Sequence, residues 1–125
     1  MALEIKITEK KSNVYLVALK GSIDVETYQE LEEKLKRMIN DQTKAVILDL
    51  GGVDYISSIG IKVVLWAKKA LQAQNANFAM TNLQPQIKKV FDVMKILPII
   101  DIFDDMPEAD KYIDQVIKEE MNKKT

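Results

Sequence analysis

The chain has 125 residues, of which 47% are hydrophobic and 30% are charged, and its formal net charge is −1. These proportions are typical of one globular domain, and the balanced charge gives no reason to expect binding to nucleic acid or to a membrane surface. Because the chain contains neither cysteine nor histidine, disulfides, thiolate catalysis and the common zinc ligands are excluded, and we predict no metal and no cofactor.

The first strands are predicted from an alternating pattern. Leu3, Ile5 and Ile7 alternate with polar residues, which indicates a strand with one solvent-exposed face. A polar turn at residues 10–13 and a second apolar segment at 14–19 complete an antiparallel hairpin. The segment 1–10 has no hydrophobic signal core, and no apolar run is long enough to cross a bilayer. We therefore predict a single cytoplasmic domain over residues 1–125.

The first helix is predicted from apolar residues at spacings of three and four. Asp24 stands just before this pattern, near the expected N-cap. The predicted buried stripe consists of Val25, Tyr28, Leu31, Leu35 and Met38.

The centre of the chain reads as a buried strand followed by a helix. Residues 45–50 are apolar except for Asp49, which is typical of a strand covered on both faces, and two glycines at 51 and 52 are expected to end it. Ser57 and Ser58 precede a helix whose predicted stripe is Ile61, Val64, Leu65 and Leu71. The first turn of a helix has unpaired N–H groups and the positive end of the helix dipole. A serine at this position can therefore cap the helix or hold a phosphate there.

The C-terminal part continues the alternation of strands and helices. We predict a strand at 77–81, a helix opened by Pro85, a strand at 99–103 and a helix opened by Pro107, with a frayed tail from about residue 118. The third helix should bury Ile87, Val90, Phe91 and Met94.

The order ββαβαβαβα predicts an α/β fold with a mixed, mostly parallel sheet of about five strands and about four helices. The first strand is expected at an edge and the third in the centre, with the helices on a single face. Asp49 is expected to bond loop amides, and Gly60 to allow close approach of a helix and a strand.

Three stretches, GSIDVET, LDLGGVDYISSIGIKVVLWA and LQPQIKKVFDVMKI, give the chain a resemblance to the STAS family, in particular to the stand-alone anti-sigma factor antagonists of bacteria. The likeness runs from Ile5 to Ile117. Its most specific part is the serine signature, here Ser57, Ser58, Ile59 and Gly60. The resemblance implies the STAS fold, no catalytic activity, and a phosphorylated serine at Ser58.

The resemblance also implies a mechanism and partners. An unphosphorylated antagonist binds an anti-sigma factor serine kinase and so frees a sigma factor, whereas the phosphorylated form lets go and a PP2C-type phosphatase resets it. Asp24 matches an acidic residue beside the phosphorylation loop. The residues expected to contact the partner are Asp24, Ser57, Ser58, Ile59 and Gly60.

The chain departs from the family pattern at one position, which leaves two alternative functions open. Ser57 stands where many antagonists have aspartate. One alternative is a constitutive STAS subunit of a transporter or stress complex that is not phosphorylated, and another is a nucleotide-binding protein. The absence of a P-loop lysine motif disfavours nucleotide hydrolysis. We expect a monomer, because the sequence shows no extra apolar patch.

Overall fold

The computed structural model describes residues 3–123, and the side chains of residues 3–119. The elements are β1 (Glu4–Lys11), β2 (Val14–Ile23), α1 (Tyr28–Met38), β3 (Ala45–Ile56), α2 (Ser58–Ala73), β4 (Asn77–Thr81), α3 (Pro85–Val93), β5 (Asp101–Phe103) and α4 (Met106–Lys123). This is the predicted order ββαβαβαβα.

The five strands pair in chain order, β1-β2-β3-β4-β5. β1 runs antiparallel to β2, and the remaining pairs are parallel, which confirms the mixed, mostly parallel sheet. Each right-handed crossover steps to the next strand in the same direction, so α1, α2 and α3 all lie on one face of the sheet, called here the front face. α4 follows the last strand and is not a crossover. It packs on the opposite face, so the prediction that the helices cover a single face is wrong.

β3 is the central strand and is buried from both sides, as predicted. Val46, Leu48 and Leu50 pack in the front cluster with α1, α2 and α3. Ala45 and Ile47 point to the other face and pack in the cluster that includes α4. The continuous apolar run therefore reflects two cores on either side of one strand.

β3 continues through both glycines to Ile56, so the prediction that they end the strand is wrong. Gly52 pairs with Lys20 of β2 at a register shift. A Cβ at this position would lie 2.9 Å from the carbonyl oxygen of Leu19, so only glycine lets the strands stay this close. As a result β2 and β3 finish together, with Ile56 paired to Ile23. The side of the sheet at which these parallel strands end is the sheet edge referred to below.

α1 begins one turn later than predicted, at Tyr28 rather than near Val25. The Asp24 carboxylate accepts hydrogen bonds from the backbone N–H groups of Glu26 and Thr27, and so closes a turn ahead of the helix. Val25 lies in this turn and is 73% exposed, so it does not belong to the buried stripe.

Differences in the C-terminal part are smaller. β5 begins at Asp101 instead of residue 99, and Met94 is half exposed rather than inward because it follows the end of α3. The segment from about residue 118, for which the sequence predicts fraying, continues as helix to Lys123. Residues 124 and 125, like Met1 and Ala2 of the predicted domain, lie outside the described residues.

α4 is tied to the sheet by polar contacts as well as by its apolar stripe. Lys10 pairs with Asp110 at 2.7 Å, and Lys11 pairs with Asp114. The Tyr112 hydroxyl donates to the Asp101 carboxylate at 2.9 Å. Burial, followed by this hydrogen bond, raises the pKa of Tyr112 to about 12. Within residues 3–123, no helix combines the length and the low polarity that a membrane crossing requires.

Candidate functional site

Ser57 is the N-cap of α2. Its hydroxyl oxygen accepts a hydrogen bond from the N–H of Gly60 at 3.3 Å, and its carbonyl oxygen accepts from the N–H of Ile61 at 3.0 Å. Its own N–H donates to the carbonyl oxygen of Ile23 at 2.8 Å. Ser57 therefore closes the first turn of the helix and also ties that turn to the end of β2. Of the two roles that the sequence allows for a serine here, Ser57 therefore has that of the cap.

Ser58 is the first residue of α2 and is exposed. Its hydroxyl makes no hydrogen bond to any group whose position the structure describes. The first turn contains no acidic residue, so the positive end of the helix dipole is not neutralised locally. Since Ser57 already serves as the cap, the Ser58 hydroxyl is available for other chemistry.

Lys62 is a neighbour of Ser58 that sequence reasoning missed. It lies four residues further along α2 and is also exposed, and residues at this spacing share one helix face. An anion on Ser58 would therefore meet a lysine in addition to the unpaired N–H groups. The i to i+4 spacing was the signal that could have identified it.

Gly60 is buried where α2 meets the ends of β2 and β3. A Cβ there would lie 2.7 Å from Cγ2 of Ile23, 2.9 Å from Cγ1 of Ile56 and 3.0 Å from the carbonyl oxygen of Ile23. The predicted close approach of helix and strand is confirmed. Ile59, next to it, is half-buried.

Asp24 belongs to a compact turn at the same sheet edge. Its N–H donates to Oγ1 of Thr27 at 3.0 Å, while its Oδ1 accepts from the N–H of Thr27 at 3.2 Å. The Thr27 hydroxyl in turn donates to the carbonyl oxygen of Ser22 at 2.7 Å. The bond from Ser57 to Ile23 joins this turn to the start of α2. The structure therefore brings together all five residues that the sequence predicted for the site.

Two exposed apolar side chains lie on the segments that reach this edge. Val25 follows Asp24, and Tyr55 is 55% exposed near the end of β3. The Ser22 hydroxyl donates to the Asp54 carboxylate at 3.0 Å, which links the two segments. The predicted end of the strand at the two glycines gave no indication that Tyr55 pairs with Ser22 of β2.

Asp49 bonds one backbone amide within β3 and one loop side-chain amide, so the prediction of loop amides is right only for the second. Its Oδ1 accepts from the Gly51 N–H at 2.9 Å and from Nδ2 of Asn82 at 3.1 Å. Over the part of the chain that the structure describes, no group of three acidic side chains is arranged to hold a metal ion.

Replacing Ser57 by alanine should lower the free energy of unfolding by about 1 kcal/mol, because Gly60 then loses its capping acceptor at the start of α2. Urea denaturation followed by circular dichroism measures the change. Ser58→Ala is the matched control and should stay within about 0.5 kcal/mol of wild type, since its hydroxyl caps nothing. Equal losses in both variants would contradict the assignment of Ser57 as the cap.

The fold and the site together define a small α/β domain that presents a serine at a helix N-terminus on the edge of a mixed sheet. The family model "STAS domain" matches residues 6–109, and the chain belongs to the STAS domain family. The resemblance seen in the serine signature is thereby confirmed.

Named relatives include anti-sigma factor antagonists. BtrV of Bordetella bronchiseptica, named as a candidate anti-sigma factor antagonist, is 33% identical over 98 residues, which are 78% of this chain and 84% of the relative. An anti-sigma-B factor antagonist of Staphylococcus epidermidis is 33% identical over 79 residues, 63% of this chain and 73% of the relative. The structure of the Bacillus cell fate determinant SpoIIAA in its phosphorylated form superposes with a TM-score of 0.72 at 20% identity, covering 90% of this chain and 99% of that one. This last likeness shows the shared fold.

Proposed function

We propose that this protein is an anti-sigma factor antagonist that works by phosphorylation-dependent partner switching in the cytoplasm. With Ser58 unphosphorylated, it binds an anti-sigma factor serine kinase as a monomer and so frees a sigma factor. Phosphorylation of Ser58 ends this binding, and a PP2C-type phosphatase restores it. The protein itself catalyses no reaction in this scheme.

One observation carries the proposal: the exposed Ser58 hydroxyl is not needed to cap the helix, because its neighbour Ser57 is the cap. A residue that must be modified repeatedly without unfolding the domain needs this freedom. Ser57 is half-buried and its oxygen is bound to the Gly60 N–H. The geometry therefore favours Ser58 over Ser57 as the modified residue.

The departure from the family pattern at Ser57 fits the same scheme. An aspartate at this position would place a carboxylate beside the phosphate, and like charges at close range repel. Ser57 supplies the capping oxygen without that charge. The N-terminus of α2 and Lys62 can then stabilise the phosphate without competition from an adjacent acid.

The phosphate would change the binding surface more than the fold. It adds roughly −1.5 to −2 charges and three acceptor oxygens to an edge that also exposes Val25 and Tyr55. A partner shaped for this partly apolar edge has no group to pair with the added charge and must desolvate it, which costs several kcal/mol at a closed interface. Each 1.4 kcal/mol lost corresponds to about a tenfold weaker complex.

Peptide-mapped mass spectrometry of the chain from its source cells, in growth and under stress, tests the proposal. Cleavage after Lys44 and after Lys62 yields one peptide that contains both Ser57 and Ser58. The assignment therefore requires fragment ions from cleavage of the peptide bond between the two serines. We expect phosphate on Ser58, at a level that differs between conditions and disappears after phosphatase treatment. A Ser57→Ala chain should still be modified, and a Ser58→Ala chain should not.

Two outcomes would contradict the proposal. Phosphate on Ser57 would place the switch at the capping residue. A chain unmodified in both conditions would favour the constitutive STAS subunit of a transporter or stress complex.

A further inference from the structure

None of the helices in residues 3–123 covers β1 on the front face of the sheet. The crossovers begin only after β2, so α1, α2 and α3 all lie beyond β1. Ile5 and Ile7 pair with Leu19 and Val17, which belong to the front core cluster, and directly opposed residues point to the same face. Ile7 faces the core side of the sheet and is nevertheless 39% exposed.

A groove fills the space between β1 and the C-terminal half of α1, and is called here the β1 groove. Ile5, Ile7, Met38 and the ring of Tyr15 line what is called here its floor, and three polar residues on the α1 side, Lys34, Arg37 and Asn40, form its rim. Its volume is about 490 Å³, and it is open to solvent along one side.

The charge at the rim is positive and incompletely neutralised. None of the residues that line the groove is acidic. Lys34 lies 3.9 Å from Glu30, at the outer limit of an ion pair, and no carboxylate of residues 3–119 lies within ion-pair distance of Arg37. The C-terminus of α1 contributes about half a negative charge, and Glu9 interacts with Tyr15 of the floor, so the two cations leave the α1 side of the groove positive.

We propose that the β1 groove binds a small amphipathic carboxylate of the straight-chain fatty acid class. The alkyl chain lies on Ile5 and Ile7, and the carboxylate pairs with Lys34 and Arg37. Arginine suits this ligand because its planar guanidinium can donate two parallel hydrogen bonds to one carboxylate. The two cations, of which Lys34 is only weakly paired with Glu30, argue for an acid rather than for a neutral lipid or an amine.

The groove is separate from the serine site. Ser57 and Asp24 lie beyond the N-terminal end of α1, whereas Arg37 lies in its last turn. An 11-residue helix is about 16 Å long, so both sites can be occupied together. The inference therefore does not depend on the proposed partner switching.

A second apolar groove on α3 provides a comparison. It is lined by Gln86, Lys89, Val90, Val93 and Met94, with a volume of about 330 Å³. It has one cation where the β1 groove has two. A ligand attracted only by exposed apolar surface would use both grooves, whereas a carboxylate should prefer the β1 groove.

Titration of the isotope-labelled full chain with hexanoate, octanoate and decanoate, each below its micelle-forming concentration, tests the proposal by NMR. We expect saturable shifts at the amides of the β1 groove, with Kd falling about fourfold for each added methylene group. Decylammonium, which has the same tail and the opposite charge, should bind at least fivefold more weakly than decanoate.

Two pairs of variants test separately how the groove binds the carboxylate and the alkyl chain of the ligand. Arg37→Gln should weaken decanoate binding up to about fivefold, and Lys36→Gln on the same helix should leave it unchanged because Lys36 does not line the groove. Ile7→Asp should abolish binding, whereas Val93→Asp in the α3 groove should not affect it. Absence of saturable binding, equal affinity for decylammonium, or equal effects of Ile7→Asp and Val93→Asp would overturn the proposal, and Arg37→Gln tests it even if Ile7→Asp does not fold.

Discussion

Replacing Ser58 by glutamate should lower the affinity for the anti-sigma factor about 100-fold while the domain stays folded. Two decades in Kd correspond to about 2.8 kcal/mol, which is within what an uncompensated charge costs at a closed interface. The same charge should stabilise the free protein by about 0.5 kcal/mol, because it sits at the N-terminus of α2 where no acidic residue is present. Binding and stability are therefore expected to change in opposite directions.

The measurement is calorimetric titration against the anti-sigma factor that co-purifies with the wild-type chain, paired with urea denaturation of each variant. Gln72→Glu is the matched control, because it also adds one negative charge at an exposed position of the same helix, far from Ser58. Its affinity should stay within about twofold of wild type, and Ser58→Ala should bind normally. If Ser58→Glu bound as tightly as wild type, the surface around Ser58 would not be the partner interface.

Gly60→Val should lower the free energy of unfolding by about 3 kcal/mol or more. The added Cβ would meet Cγ2 of Ile23 at 2.7 Å and the Ile23 carbonyl oxygen at 3.0 Å. The carbonyl belongs to the paired backbone of β2 and cannot rotate away, so the whole first turn of α2 must shift. Gly60→Ala should be milder, because the better helix propensity of alanine, about 1 kcal/mol, offsets part of the clash.

Lys62→Val provides the control for the Gly60 series. It places the same side chain in the same helix at an exposed position, where only the helix propensity difference of less than about 0.7 kcal/mol applies. Urea denaturation of the three variants gives the comparison. A Gly60→Val chain as stable as Lys62→Val would mean that the helix terminus is not held against β2 as the structure has it.

The alternation of strands and helices could be read from the sequence because each element has its own hydrophobic period. The run at 45–50 reveals a central strand, and β4 at Asn77–Thr81 begins and ends where the pattern predicts. The placement of α4 could not be read, since its apolar stripe fits either face of the sheet. The position of α4 follows from the order of the strands in the sheet. Because that order places α1, α2 and α3 on one face, the other face is left for α4 to cover.

The two wrong predictions near the site, at Gly52 and Asp24, have the same cause. Gly52 looks like the end of a strand, but its lack of a side chain allows β2 to pair across a register shift. Asp24 looks like the N-cap of a helix, but its carboxylate serves a preceding turn, and Thr27 occupies the N-cap position. Glycine and aspartate are each used in several local structures, and tertiary contacts decide among them.

The pairing of the five strands in chain order also bears on how the domain forms. Each parallel pairing closes a loop that contains a single helix, so the entropy lost in each closure stays small. No strand has to be inserted between two that are already paired. Such a chain can grow from the β1–β2 hairpin by adding one helix and one strand at a time, an order that matches the direction of its synthesis and is typical of faster folding than that of domains with distant strand pairs.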